Sequence, residues 1–351
     1  MNVAIIGAGA TGLFLGNLLE QAKIQYTIFN DGKVGNKILA SGNGRCNIAN
    51  INYQPQCYHN NELAVDILKC QKKLFSLLKN LKIYTKVDSE GRMYPISESS
   101  LSVLNVLLKK VNHNIIPEYV DNINVVNNKY IINGKYSNFD RIVLCCGSPA
   151  GYKNFKFPKF YDNLLPSLNP FEPSLVGFRT IPLKKISGVR AKAVVKLIHN
   201  DKVIHSEAGE VIFKDNGVSG ICIMNLSSYY NYLPNKDNCF LEINLVDHSY
   251  DDYTCVLHPK LLAYINENKI DPLHFKLKIM TTYDLEFAQV CKGGVKISDV
   301  NYNLQLKKDK NIFVGGEMLD VDGVCGGYNL MFAFCCSIRI SEVLIDEISN
   351  R

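Results

Sequence analysis

The chain has 351 residues, 47% of them hydrophobic and 21% charged, with a formal net charge of +6. That length exceeds the usual single domain, and that balance supplies a full apolar core, which excludes a mainly disordered chain. Basic residues are spread through stretches such as Lys308-Asp309-Lys310 and form no single block, so an anionic partner is allowed and not demanded. The twelve cysteines lie in a long chain whose start, Met1-Asn2-Val3-Ala4-Ile5-Ile6, runs straight into a glycine turn. A reducing, cytoplasmic setting is therefore expected, with most thiols as small core residues. No Cys-x-x-Cys occurs and no histidines cluster at ligand spacing, so no metal is expected. No apolar run approaches the roughly 18–20 residues of a membrane helix, and no membrane partner is expected.

Residues Val3 to Ile6 read as a buried strand, followed by the turn Gly7-Ala8-Gly9-Ala10-Thr11-Gly12, a helix to about Ala22 and a second strand at Tyr26 to Phe29. This is a βαβ unit with a dinucleotide fingerprint. Gly7 permits the tight turn, Gly9 lets backbone approach a pyrophosphate, and Gly12 allows helix and strand to pack closely. Helix amides beginning at Ala10 and Thr11 favour the phosphate charge. The acid that ordinarily ends the second strand and holds the ribose is replaced by Asn30, with Asp31 next, and both are candidates.

Farther along, Leu63 to Leu81 carries apolar residues on helical spacing and reads as core. Gly91-Arg92-Met93-Tyr94-Pro95 reads as a hairpin turn feeding a helix at Ser99 to Val111, capped by Ser97 or Ser99. A strand at Arg141 to Cys146 ends in Gly147-Ser148-Pro149, and a proline-punctuated crossing follows. From Val176 to about Leu245 short alternating segments predict an all-β module. The segment from Thr254 to Lys269 is predicted helical. The division expected is a first part at 1–170, an inserted substrate domain at 171–284 and a returning part at 285–351.

The C-terminal region decides between dinucleotides. A buried strand (Ile312 to Val314), the turn Gly315-Gly316-Glu317, an acidic loop with Asp320, the turn Gly326-Gly327-Tyr328-Asn329 and a final helix form the FAD pattern. In it an acid after a distal strand meets the ribityl hydroxyls, and a helix N-terminus faces the flavin pyrimidine. The expectation from the residues is an α/β Rossmann-like FAD-binding domain interrupted by a β-rich module with a helical segment.

The runs Gly35-Asn36-Lys37 to Asn50, Gly91 to Ser97, Gly209 to Gly220 and Gly315 to Asn329 occur in the order of one family's signatures. On them the chain resembles the BaiN/RdsA-like NAD(P)/FAD-dependent oxidoreductases, which implies an α/β Rossmann-like FAD-binding domain of GR2 type interrupted by an inserted β-barrel-like domain with a small helical part. The resemblance implies cofactor contacts from Lys37, Gly42, Gly44, Arg45, Cys46 and Asn47, with Gly44-Arg45-Cys46-Asn47 over the flavin. There Arg45 would stabilise an anionic flavin or substrate, and Cys46 would either donate the proton that follows hydride addition to an activated C=C bond or pack structurally. Cys325 is a second thiol candidate.

The family implies NAD(P)H as a transient hydride donor and two kinds of substrate, a uridine in large-subunit ribosomal RNA reduced to dihydrouridine or a small unsaturated molecule. Tyr229, Tyr230 and Tyr232 are candidates for stacking on RNA bases. A flavin-carrying RNA-binding or assembly factor without turnover, and a simple flavin electron carrier, are the competing classes. Oligomeric state is not legible.

Overall fold

The strand Asn2–Ile6 lies inside a six-stranded sheet, and its four consecutive buried residues have the pattern of a parallel strand covered on both faces. In this computed structural model, which describes residues 1–349, Arg141–Leu144 and Gln25–Phe29 flank it in parallel. Asp309–Val314 lies parallel to Arg141–Leu144, and Ile115–Ile116 extends the far side beyond Gln25–Phe29. The short strand Gln305–Leu306 closes the near edge antiparallel. The sheet therefore brings the two ends of the chain into one layer.

Two helices meet closely beside that sheet. Phe14 of Ala10–Gln21 and Phe334 of Tyr328–Ser349 place their ring centroids 5.0 Å apart. Small residues let the backbones approach: Ser337 Oγ donates to the Thr11 carbonyl at 2.8 Å, and Thr11 Oγ1 donates to the Ala333 carbonyl at 3.2 Å. Both hydroxyls are buried, and these bonds remove the cost of taking them out of water. Tyr328–Ser349 is long and apolar enough to cross a membrane by length and composition, which corrects the expectation that no run approaches that length. Most of that apolar surface is buried within the protein, as in a core helix.

The chain divides into two compact units. One comprises residues 1–148, 155–171 and 293 onward, and the other residues 149–154 and 172–292. In the second, seven antiparallel strands run in the order Phe275–Lys278, Cys239–Asn244, Arg190–His199, Lys202–Lys214, Gly217–Ser219, Phe178–Arg179, Thr281–Thr282. Along Arg190–His199 the inward Ala193, Val195 and Leu197 alternate with Lys192, Val194 and Lys196, the period-2 pattern of a sheet with one wet face. The predicted helix in the Thr254 to Lys269 segment forms at Pro259–Asn268. Pro259 stands at its first turn, and His258 Nδ1 accepts from the Lys260 amide at 3.2 Å.

Several local readings need correction. The all-β reading of Val176 to Leu245 missed the helix Ile221–Asn231, whose residues are buried nearly all round, so no polar stripe marks it in the sequence. Leu63 to Leu81 is three segments, Asn61–Ile67, the 3-10 turn Leu68–Cys70 and Gln71–Asn80. Residues Arg92–Pro95 form the central strand of a three-stranded sheet rather than a turn, between Ala49–Asn50 and Thr85–Val87. Ser99 takes the N-cap position of Ser100–Val111 without a capping side-chain bond, and Ser100 Oγ instead donates to the Leu39 carbonyl at 2.9 Å.

Gly220, at φ +119, shows how tight the second unit is: a Cβ there would lie 2.0 Å from the Glu210 carbonyl oxygen. Gly220→Ala is expected to lower unfolding free energy by about 1–3 kcal/mol in urea titration, and an unchanged midpoint would contradict that close approach.

Candidate functional site

The glycine turn after the first strand is built by contact between backbones. At Gly7 (φ +116) a Cβ would come 2.4 Å from the Cys145 carbonyl oxygen, and at Gly12 one would come 2.0 Å from the Gly7 carbonyl oxygen. At Gly9 a Cβ would meet nothing within 4 Å. Gly7 and Gly12 are thus required by the protein's own packing, whereas Gly9 keeps an open face at the N-cap of Ala10–Gln21, where amides and helix dipole attract a phosphate.

Asn30 locks this turn. Its Oδ1 accepts the Ala8 amide at 2.9 Å, and its Nδ2 donates to the carbonyls of Asp31 at 3.3 Å and Gly32 at 3.1 Å. The expected ribose ligand is engaged in holding the loop, and Asp31 is the exposed acid beside it.

Across the sheet end, Gly316 sits against Thr11, with room for no side chain: a Cβ would lie 2.5 Å from Thr11 Oγ1. Glu317 next to it is held from two sides. Lys37 Nζ donates to Glu317 Oε2 at 2.6 Å, Ser148 Oγ donates to Glu317 Oε1 at 2.8 Å, and Lys37 Nζ also reaches Ser148 Oγ at 3.1 Å. Sequence reading missed Ser148. Its signal was the Gly147-Ser148-Pro149 turn directly after a core strand. Asp320, 4% exposed, has its oxygens on protein donors, the Gly293 amide at 2.8 Å and Asn169 Nδ2 at 2.6 Å. Asn329 closes its own loop, accepting from the Gly323 amide and donating to the Gly323 carbonyl, both at 2.8 Å. In these positions Asp320 and Asn329 shape the loops and do not present free groups to a cofactor.

Residues 41–47 form a tight, left-handed loop. Gly42, Asn43, Gly44 and Cys46 have φ of +57, +55, +84 and +62, and the Cys46 amide donates back to the Ser41 carbonyl at 3.0 Å. Arg45 points outward, its guanidinium 5.0 Å from the centroid of the Tyr94 ring, a cation–π contact that limits its range. Cys46 points inward. It is 0% exposed in the core, and burial pushes its thiol up to about 11. A proton held this firmly, without access to solvent, suits packing better than donation to a substrate.

Asn47 completes the loop and meets the C-terminal turn. Its Oδ1 is buried without a hydrogen-bond partner, and a Cβ on Gly327 would come within 2.5 Å of that oxygen. Asn50 Nδ2 donates to the Gly326 carbonyl at 3.1 Å, and Tyr58 Oη donates to the Tyr328 carbonyl at 2.7 Å, so the start of the last helix is fastened to the segment that follows the Arg45 loop. Tyr328 is itself buried, which raises its phenol and keeps it neutral. The fold thus gathers Thr11 with Gly316, Lys37 with Glu317, and Asn47 with Gly327. Arg45 stands at the rim, and Cys325 is half-buried in the Gly323–Tyr328 loop.

These residues fit FAD: an open glycine at a helix N-terminus for the pyrophosphate, a fixed carboxylate for hydroxyls, and an unsatisfied buried amide oxygen beside a second helix N-terminus. The fold and the site define an FAD-binding Rossmann protein interrupted by a barrel-like domain, the architecture of FAD-dependent oxidoreductases. Residues 1–151 match the HI0933-like protein Rossmann domain and residues 172–258 the HI0933-like protein barrel and H2TH domain; the chain belongs to this family.

Among curated relatives, the 3-dehydro-bile acid delta(4,6)-reductase of Clostridium scindens is 27% identical, covering 95% of this chain and 96% of its own. The ribosomal RNA dihydrouridine synthase of Escherichia coli is 24% identical, covering 97% of both. Among solved structures, a flavocytochrome c3 fumarate reductase aligns with a TM-score of 0.53 at 11% identity, covering 98% of this chain and 78% of that one. That likeness is one of fold.

Two measurements check the site. Gly12→Ala is expected to cost about 1–3 kcal/mol of stability, whereas Gly9→Ala changes it by less than about 0.5 kcal/mol and instead weakens FAD uptake, read by flavin fluorescence. In native alkylation at pH 8, mapped by peptide mass, exposed Cys255 labels fast and buried Cys46 stays unmodified; equal labelling would refute the inward thiol.

Proposed function

We propose that this chain is an FAD-dependent reductase that takes hydride from NAD(P)H and reduces an activated C=C bond, with a uridine of large-subunit ribosomal RNA as the substrate. The observation that carries the reading is the end-to-end match to relatives named as C=C-reducing enzymes, joined to a glycine cradle whose Gly9 is open for a ligand. Bound FAD supplies hydride transfer, which no side chain of the protein can perform.

The protein's residues hold, orient and exclude. The Gly9 backbone and the N-terminus of Ala10–Gln21 take the pyrophosphate. Lys37 and Ser148 fix both oxygens of Glu317, so its carboxylate meets ribityl hydroxyls without first reorganising. Arg45, resting on Tyr94, supplies positive charge at the rim for an anionic substrate group. Cys46 stays protonated and packed below the loop, keeping its left-handed turn dry. In the barrel-like unit Tyr230 is buried, Tyr229 stacks on His205 with centroids 3.9 Å apart, and Lys292 lies 4.7 Å over Tyr232. These rings are occupied, so the stacking role expected for them is withdrawn. The RNA reading rests on the net charge of +6 and on two relatives named ribosomal RNA dihydrouridine synthase. A small unsaturated substrate is the second reading, favoured by the 27% identity to the bile-acid reductase.

The test compares nucleoside digests of large-subunit ribosomal RNA from the parent strain and a deletion strain by mass spectrometry. Loss of one dihydrouridine, restored by the wild-type gene and at least tenfold less by Arg45→Ala, is the expected outcome. An unchanged dihydrouridine content rules out the RNA substrate and leaves the small-molecule reading, checked by NAD(P)H consumption with conjugated enones.

A further inference from the structure

We propose that Asn47 is the residue that reads an imide edge, the row C=O, N–H, C=O, and that the edge it takes is the pyrimidine side of the flavin. This inference rests on the FAD reading above and assigns the cofactor's orientation to one side chain.

Three observations meet at this amide. Asn47 is 8% exposed and its Oδ1 is buried without a hydrogen-bond partner, a state that is costly unless a ligand donor satisfies it. By contrast, neighbouring amides are used: Asn50 donates to Gly326, and Asn329 exchanges two bonds with Gly323. An acceptor left open amid satisfied neighbours points to a donor that the protein itself does not contain.

The second observation is how firmly Asn47 is held. Gly42, at φ +57, approaches so closely that a Cβ there would lie 2.8 Å from the Asn47 amide nitrogen and 3.3 Å from its Cβ. On the other side a Cβ at Gly327, at φ +99, would lie 2.5 Å from Oδ1 and 2.5 Å from the Ala49 carbonyl oxygen. Two glycines with left-handed backbones thus clamp one asparagine, and neither site admits a side chain. The rotamer is fixed before any ligand arrives, so little entropy opposes binding.

The third is the company of a helix start. Gly327 immediately precedes Tyr328–Ser349, a helix of 22 residues, and the first amides and positive dipole end of a helix favour an acceptor or a gathering negative charge. An imide ring presents one N–H between two carbonyls. The Asn47 amide, acceptor and donor side by side, complements an N–H and one adjacent carbonyl, and the helix start suits the other carbonyl. The ribose, ribityl and phosphate groups of a dinucleotide lack such a row. The isoalloxazine pyrimidine has it, and so does a uracil base. The flavin is the source favoured here, because the site shares its loop and helix with the Gly316-Glu317 strand end that also packs on Thr11 of the pyrophosphate helix.

The test titrates the full chain, stripped of flavin, with FAD and with N3-methyl FAD, which keeps every group except the imide N–H. Wild type is expected to bind N3-methyl FAD at least tenfold more weakly than FAD, one charge-free hydrogen bond with a penalty for the unsatisfied oxygen being about that large. In Asn47→Leu, similar in size, the two ligands bind alike, and the midpoint potential of the bound flavin moves negative, because a donor to the electron-rich reduced ring is gone. Asn47→Asp moves it further in the same direction. Should the leucine variant fail to fold, the two-ligand comparison in wild type and the aspartate variant still decide.

A wild type that binds FAD and N3-methyl FAD equally, with both variants at the wild-type potential, overturns the flavin assignment while leaving the FAD reading intact. A wild type that takes up no FAD overturns both. A parallel arm competes uridine against N3-methyluridine in turnover. Discrimination there, lost in Asn47→Leu and absent from the FAD titrations, assigns the imide edge to the substrate base instead.

Discussion

The contact between Gly12 and the carbonyl of Gly7, tight enough that a methyl group would sit 2.0 Å from that oxygen, governs the geometry of everything around it. It brings the helix Ala10–Gln21 hard against the strand it follows, while Gly7 approaches the Cys145 carbonyl of the neighbouring strand just as closely. Because of those approaches the helix start lies at the sheet end where Asp309–Val314 also finishes. Thr11 then packs on Gly316 and bonds to Ala333, so a motif near the beginning of the chain and another near its end share one site. The arrangement follows from the absence of a Cβ at a few positions. Attraction between the two motifs is not needed to explain it.

With that frame set, the polar side chains divide according to whether the protein already satisfies them. Asn30, Asp320 and Asn329 each find partners within the protein, Asn30 on Ala8, Asp320 on Gly293 and Asn169, and Asn329 on Gly323, because an amide or carboxylate left unpaired away from water is costly. Glu317 is held by Lys37 and Ser148 yet remains partly exposed, so it is oriented without being sealed off. Asn47 is the contrasting case, buried and clamped but with its oxygen unsatisfied. A residue's type therefore says less about ligand contact than the state of its hydrogen bonds does.

The same separation applies to charge and thiol chemistry. Arg45 and Cys46 are adjacent in sequence, but the left-handed turn sends one to solvent over Tyr94 and the other into the core. Burial then raises the thiol to about 11, which keeps it neutral at working pH. The loop's chemistry is left to a cation and an amide, a combination suited to binding electron-rich rings and anions.

Much of this was legible beforehand. The βαβ unit announced itself because glycine spacing and an apolar strand obey local rules, and the strand, acid and helix near the C-terminus did so for the same reason. The alternating strand at Arg190–His199 was equally visible through its period. The helix Ile221–Asn231 was not, since burial on all sides erases the polar stripe that marks a helix in sequence. Nor were the role of Ser148, the unsatisfied oxygen of Asn47, which the family resemblance gave only as a cofactor contact, or the inward turn of Cys46. Local backbone preference and apolar periodicity depend on neighbours in the chain, so the sequence by itself determined the dinucleotide fold and those elements whose pattern is local. Which polar groups end up satisfied depends on partners hundreds of positions away, 280 for Lys37 and Glu317 and 326 for Thr11 and Ser337, and only tertiary packing decides that.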